Sequence, residues 1–163
     1  MHRLAATLCL LIGASVVHAQ EATYSARLMT LETALQAARA ALESCRKAGY
    51  QVAVAVVDRS GLPQAVLRDR YAGAHTTDMA VDKAWTAVSF RTSTATLADA
   101  TKAGTPLSGI RARPRVAAVG GGLLIEGAGA VLGGIGVSGA PAGDRDEACA
   151  RAGISAIQQQ LDF

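Results

Sequence analysis

Aromatic side chains are scarce in this chain of 163 residues: they make up 4% of the sequence, although 50% of the residues are hydrophobic. So few rings cannot build the stacking surfaces on which single-stranded nucleic acids bind, and a formal net charge of +3 is too small for a phosphate-binding footprint. Charged residues are also few, at 18%, which excludes a disordered chain. We therefore expect one compact domain that packs small side chains closely and has no nucleic-acid partner.

The N-terminal segment has the composition of a secretory signal peptide. Arg3 supplies the positive start, Leu4–Val17 is apolar or small almost throughout, and a small-x-small cleavage site ends at Ala19. The apolar run is shorter than the roughly 20 residues that span a bilayer. We expect residues 1–19 to be removed after Ala19, which leaves a periplasmic or secreted protein with no membrane span.

Histidine is equally scarce once this segment is removed, because His75 is then the only one left. A single histidine excludes two-histidine metal sites, including the H-E-x-x-H zinc site. The absence of C-x-x-C-H excludes covalent attachment of c-type haem. The absence of G-x-S-x-G and of G-K-[ST] excludes a hydrolase nucleophile elbow and a phosphate-binding P-loop.

The side chains around His75 are the best candidates for a cofactor or metal site. His75 lies where a loop joins a predicted helix, Met79 follows four residues later on the same helix face, and Tyr71 lies just before. Histidine, methionine and tyrosine all serve as axial ligands of haem iron. Arg111 and Arg113 carry charges suited to carboxylates such as haem propionates. The alternatives are a core methionine, a histidine that caps the helix, and arginines on a solvated loop.

Turn residues and hydrophobic spacing divide the chain, after a leader at 20–29, into the elements of a single domain at 30–163. Apolar residues at helical spacing and short runs of valine, alanine and glycine predict the order α-β-β-α-α-β-β-α. The predicted helices start after Thr30, cover Thr76–Phe90 and Thr94–Lys102, and resume near Asp144; the predicted strands are Gln51–Val57, Pro63–Arg68, Val116 onward and Ala130–Ser138. Short connections between strands imply antiparallel pairing, and terminal helices can cover one face of such a sheet, which is an α+β fold.

Glycine is concentrated in the segment 116–137, whose only charged residue is Glu126. Glycine is unfavourable in an isolated helix, so we interpret the segment as buried strands and not as a membrane span. The motif Gly134–Gly139 matches G-x-G-x-x-G, but it lies within a strand and only one helix follows, so a dinucleotide-binding βαβ unit cannot be completed. We expect these glycines to allow close backbone contact within the sheet or at a subunit interface.

Two cysteines are left after cleavage, Cys45 and Cys149, each on a predicted terminal helix. An oxidising compartment favours a disulfide between them, whereas two buried free thiols are the alternative. Lys83 lies near Asp78 and Asp82 on the second helix. For Lys83 we expect either a solvated charged face or an ion pair at a subunit interface.

Several motifs resemble the GlcG/HbpS-like family over about 29–163. They are Val56–Gly61, Asp82–Ala87, and Gly134–Pro141 together with Asp146–Ala150. The resemblance implies a profilin-like sandwich, in which an antiparallel sheet of about five strands is flanked by helices. It also implies homo-oligomers that bind haem, with slow peroxide-dependent haem degradation or a haem- and redox-sensing accessory role in an exported protein.

Two other functions are compatible with the residues. One is an enzyme or binding protein for a small carboxylate or hydroxy acid, with arginines as anchors and Asp58 or Lys83 as the acid–base group. The other is a structural or partner-binding module whose glycine-rich strands and alanine-rich helices form the oligomer interface. The first function requires Asp58 and Lys83 to converge on one pocket.

Overall fold

The computed structural model describes residues 22–162, so the predicted signal peptide lies outside the described residues. Helices and strands follow the predicted order, with a 3₁₀ turn at Ser108–Ala112 and one short helix added at the end. The helices are α1 (Leu31–Lys47), α2 (Thr76–Phe90), α3 (Thr94–Ala100), α4 (Gly143–Ser155) and α5 (Gln158–Leu161). The strands are β1 (Ala53–Asp58), β2 (Pro63–Arg68), β3 (Gly122–Gly127) and β4 (Ala130–Ser138).

The strands form one antiparallel sheet in the order β2-β1-β4-β3. This confirms the predicted α+β class and its antiparallel pairing, but the described part of the chain has four strands and not about five. The central pair is β1 and β4, where Val54 lies opposite Val137. Every residue from Ala53 to Val57 is buried, because helices cover this central strand on both sides.

The strand expected from Val116 onward starts later than expected, because β3 begins at Gly122. The Thr86 hydroxyl of α2 donates to the Arg115 carbonyl at 3.1 Å and accepts from the Ala117 amide at 3.0 Å. Arg115 also has a positive φ of 71°, which an extended strand does not allow. The backbone of this segment is therefore bonded to a helix side chain and not to the sheet.

Helices lie on both faces of the sheet, so the fold has three layers. Successive side chains of a strand point to opposite faces, and β1 illustrates the division. Val52, Val54 and Val56 point to the face that α1 and α4 cover together. Ala53, Ala55 and Val57 point to α2. As expected, the first and last long helices share one face.

Glycines on β4 allow α2 to lie very close to the sheet. A Cβ atom on Gly136 would be 2.0 Å from the Ala80 carbonyl oxygen, and one on Gly134 would be 2.9 Å from the Ala84 carbonyl oxygen. Ala80 and Ala84 are completely buried in this contact. Gly134 and Gly136 therefore allow close contact between helix and sheet, whereas contact within the sheet or at a subunit interface was expected.

Cys45 of α1 and Cys149 of α4 form a disulfide, with their Cα atoms 5.5 Å apart. Both residues are buried beneath the two helices that share a face. The bond joins positions 104 residues apart. In the chain-entropy model, closing a loop of this length stabilises the folded state by about 4–5 kcal/mol, less any strain.

We expect Gly136→Ala to lower the free energy of unfolding by about 3 kcal/mol, because the new methyl group would overlap the Ala80 carbonyl. The matched control is Gly109→Ala, where a Cβ atom meets nothing within 4 Å and the expected change is within about 0.5 kcal/mol. Urea denaturation measures both. Equal costs for the two substitutions would contradict the close contact between α2 and β4.

Replacing Cys45 and Cys149 together by alanine is expected to lower the free energy of unfolding by about 3–5 kcal/mol, since the unfolded chain would lose its cross-link. Thermal or urea unfolding measures the change. Thiol titration of the denatured, unreduced mature protein should find no free thiol. Two reactive thiols per chain would show that these cysteines are not bonded.

Candidate functional site

A groove of about 440 Å³ opens where the start of α2 meets the loop after β4. Its walls are formed by residues 49–51 after α1, the loop before α2, the end of β4 and the start of α4. The lining residues are Gly49, Tyr50, Gln51, Tyr71, Gly73, His75, Thr76, Ser138, Gly139, Ala140, Pro141 and Asp146. The structure therefore brings two of the predicted ligands, Tyr71 and His75, to one surface.

His75 occupies the position just before α2, but its imidazole does not cap the helix within the described structure. The Thr76 hydroxyl donates to the Gly73 carbonyl at 2.7 Å and holds the loop in place. A Cβ atom on Gly73 would be 2.8 Å from the Cε1 atom of the His75 ring, so glycine leaves the room that the ring occupies. His75 is exposed, and its imidazole is thus presented to the groove instead of being used by the helix.

The other predicted ligands are placed elsewhere. Met79 lies one turn further along α2, is partly buried, and does not line the groove. Arg111 donates to the Thr101 carbonyl at 2.7 Å and to the Ala98 carbonyl at 2.6 Å, which anchors it to the end of α3. Arg113 is exposed in the loop that follows, outside the groove lining. The two arginines and His75 do not form one constellation.

Lys83 is buried inside the chain, whereas the sequence predicted either a solvated face or an ion pair at a subunit interface. Only 2% of Lys83 is exposed. Its ammonium donates to the Asp146 carboxylate at 2.7 Å and to the Val137 carbonyl at 2.9 Å. Asp82, which had been a candidate neighbour, is paired with Arg115 at 3.1 Å instead. The Lys83–Asp146 pair therefore joins α2, β4 and α4 inside one chain.

Asp146 connects this buried pair to the groove that it lines. Its other carboxylate oxygen accepts from the Ala140 amide at 2.9 Å, which fixes the loop between β4 and α4. Burial raises the pKa of the Asp146 carboxyl, against the opposing effect of the Lys83 ammonium and the Ala140 amide. In the sequence Asp146 is notable only as the first residue of the Asp146–Ala150 motif, because its partner lies 63 residues away along the chain.

Asp58 and Lys83 do not converge on one pocket. The Asp58 carboxylate accepts from the Ser60 and Leu62 amides, at 2.8 and 3.0 Å, within the turn after β1. Asp58 lies opposite Gly133 on β4, whereas Lys83 binds the Val137 carbonyl four residues further along that strand. Four residues of a strand span about 13 Å. This separation argues against the enzyme alternative, which required Asp58 and Lys83 to converge on one pocket.

A family model described as haem degrading protein HbpS-like matches residues 29–155. The chain belongs to the HbpS-like family. This confirms the resemblance that the Val56–Gly61, Asp82–Ala87 and Gly134–Pro141 motifs indicated. In this HbpS-like chain those motifs form the turn after β1, the centre of α2 with Lys83, and the strand and loop beside the groove.

Solved structures and curated relatives agree with this membership. A crystal structure of an HbpS double mutant from Streptomyces reticuli is 40% identical, has a TM-score of 0.79, and is matched over 88% of this chain and 97% of that one. A crystal structure of a PduOC–haem complex is 30% identical, has a TM-score of 0.75, and is matched over 80% of this chain and 96% of that one. The corrinoid adenosyltransferase PduO of Salmonella typhimurium is 33% identical over 124 residues, which cover 75% of this chain. Those residues are 37% of the transferase, so this chain spans little more than a third of that relative.

Within residues 22–162, no group of three or more histidine, cysteine, aspartate or glutamate side chains could hold a metal ion. Within the same range no helix combines the length and apolar character needed to cross a bilayer.

Lys83→Met is expected to lower the free energy of unfolding by about 3 kcal/mol, because it leaves the Asp146 carboxyl buried without its partner. The double change Lys83→Met with Asp146→Leu should cost less than the sum of the two single changes, as no unpaired charge is left. Lys102→Met, in an exposed ion pair with Asp99, is the control and should have no measurable effect. Urea denaturation distinguishes these outcomes; strictly additive costs would argue against a buried ion pair.

Proposed function

We propose that the mature chain is an exported haem-binding protein, and that haem occupies the groove at the start of α2 with His75 as the iron ligand. Membership of a family described as haem degrading supports the choice of ligand. A structural relative whose title names a complex with haem supports it further. The single observation that carries the proposed site is the exposed imidazole of His75 in a groove that contains no other histidine.

Part of the groove lining is apolar and could pack against one face of a flat cofactor with charged edges. Tyr50, Ala140 and Pro141 provide apolar surface beside the imidazole, and Tyr71, which is 80% exposed, provides a ring at the rim. The groove is open to water and none of the residues that line it is an arginine or lysine. Haem carboxylates would therefore be hydrated here instead of being paired with the Arg111 and Arg113 side chains.

The buried pair beneath the groove would keep this surface rigid. Lys83 holds Asp146, and Asp146 holds the Ala140 amide, so the wall at 138–141 is fixed from inside the protein. Haem, when bound, supplies an iron centre that can react with peroxide. Slow haem degradation would follow from such binding, as the name of the matching family suggests. A haem- and redox-sensing accessory role is the alternative outcome of the same binding.

Export and self-association belong to the same proposal. The segment that ends at Ala19 supports export. The disulfide between Cys45 and Cys149 supports an oxidising compartment, since cytosolic proteins rarely keep such bonds. Leu62, just before the edge strand β2, and Val66 on that strand are 62% and 39% exposed and support contact with a second copy.

Titrating the purified mature protein with haemin is expected to give a saturable shift of the Soret band. His75→Ala should weaken haemin binding about tenfold or more and change the spectrum, because the iron loses its ligand. Arg113→Gln, which lies outside the groove, is the matched control and should bind as the wild type does. An unchanged spectrum in His75→Ala would reject His75 as the ligand. A response that never saturates would reject haem binding and favour the structural module.

A further inference from the structure

We propose a second binding site, for a small organic carboxylate, at the opposite end of α2 from the haem groove. A cavity of about 510 Å³ lies between the turn after β1, the C-terminal end of α2 and the turn between β3 and β4. It is lined by Arg59, Val88, Arg91, Leu124, Glu126, Gly129, Ala130 and Val131. This cavity shares no residue with the groove at the start of α2, so a ligand here does not depend on haem binding.

Arg59 reaches this cavity from a turn that is built around Asp58. The Asp58 carboxylate accepts from the Ser60 and Leu62 amides, and its carbonyl accepts from the Gly61 amide at 2.9 Å. Gly61 has a φ of 81° and is covered by the Trp85 ring, which a Cβ atom would approach to 2.7 Å. The turn therefore has one conformation, and the Asp58 carboxylate is used by backbone amides and not by Arg59.

Arg91 reaches the same cavity from the last turn of α2. It ends the helix in the left-handed conformation, with a φ of 51°, and its amide donates to the Ala87 carbonyl. Glycine is the usual residue at this position because it adopts a positive φ without steric cost. An arginine at this position has a strained backbone, and its side chain lines the cavity.

The charges around the cavity are unbalanced. Within residues 22–162, neither Arg59 nor Arg91 forms an ion pair, and Glu126 forms none either. Two guanidinium groups therefore face a single carboxylate, which leaves an excess of positive charge. A guanidinium presents parallel N–H donors that match the two oxygens of a carboxylate.

The other lining residues favour an organic anion over an inorganic one. Val88, Leu124 and Val131 form an apolar wall that suits a carbon skeleton better than an inorganic ion. Glu126 can accept a hydrogen bond from a ligand hydroxyl group, so a hydroxy acid would satisfy all three charged side chains. The geometry thus points to a small carboxylate that carries a hydroxyl group, held by Arg59 and Arg91.

The test uses the full mature protein with lactate as the probe, lactamide as its uncharged match, and inorganic phosphate as the competing anion. We expect lactate to raise the melting temperature in a saturable way and to bind by calorimetry, with lactamide inactive and phosphate weaker than lactate. Arg59→Gln and Arg91→Gln should each weaken lactate binding about tenfold or more, since each removes a charged pair of donors. Arg39→Gln, an exposed arginine of α1 outside this cavity, should bind lactate as the wild type does.

Specific outcomes would overturn the site. No saturable response to lactate, equal responses to lactate and lactamide, or full binding by both Arg59→Gln and Arg91→Gln would each reject it. Circular dichroism of the variants shows whether they are folded. Haemin titration of Arg59→Gln separates the two proposals: unchanged haemin binding is expected, whereas its loss would assign the arginine to haem and reject an independent carboxylate site.

Discussion

The contact between α2 and β4 is the constraint on which the rest of the structure depends. Gly134 and Gly136 have no side chains on this face of the sheet, so the backbone of α2 lies directly against the strand at Ala80 and Ala84. Small residues on both surfaces replace the large rings that this chain lacks. Because the helix is held so close, its remaining side chains reach backbone and carboxylate groups that would otherwise be too distant.

At this contact Lys83 of α2 also binds β4 and α4. Its ammonium lies between the Val137 carbonyl and the Asp146 carboxylate, and Gly121, with a φ of 117°, passes directly beside it. A Cβ atom on Gly121 would be 2.9 Å from the Lys83 nitrogen, so the loop before β3 also depends on the absence of a side chain. A buried ion pair adds little net stability compared with apolar packing, but its strict geometry fixes how these elements align. Here it fixes the start of α4 and the wall of the groove.

The two proposed sites lie at opposite ends of the same helix. At its start, His75 and Tyr71 line the groove assigned to haem; at its end, Arg91 joins Arg59 in a positively charged cavity. The disulfide between Cys45 and Cys149 lies on the far face of the sheet, where it ties α1 to α4. This arrangement leaves a centre of glycine, alanine and valine, with the residues of the two proposed sites at either end of α2.

Local signals in the sequence determined most of the element boundaries. Thr30 caps α1 as expected, its hydroxyl accepting from the Thr33 amide, and Pro63–Arg68 and Thr76–Phe90 begin and end where their turn residues and spacing indicated. The family and the fold class also followed from sequence, because its motifs lie in short continuous segments. The late start of β3 at Gly122 and the partner of Lys83 could not be predicted from the sequence. Thr86 binds backbone about thirty residues away, and Asp146 lies 63 residues from Lys83, so only the tertiary structure could decide these contacts.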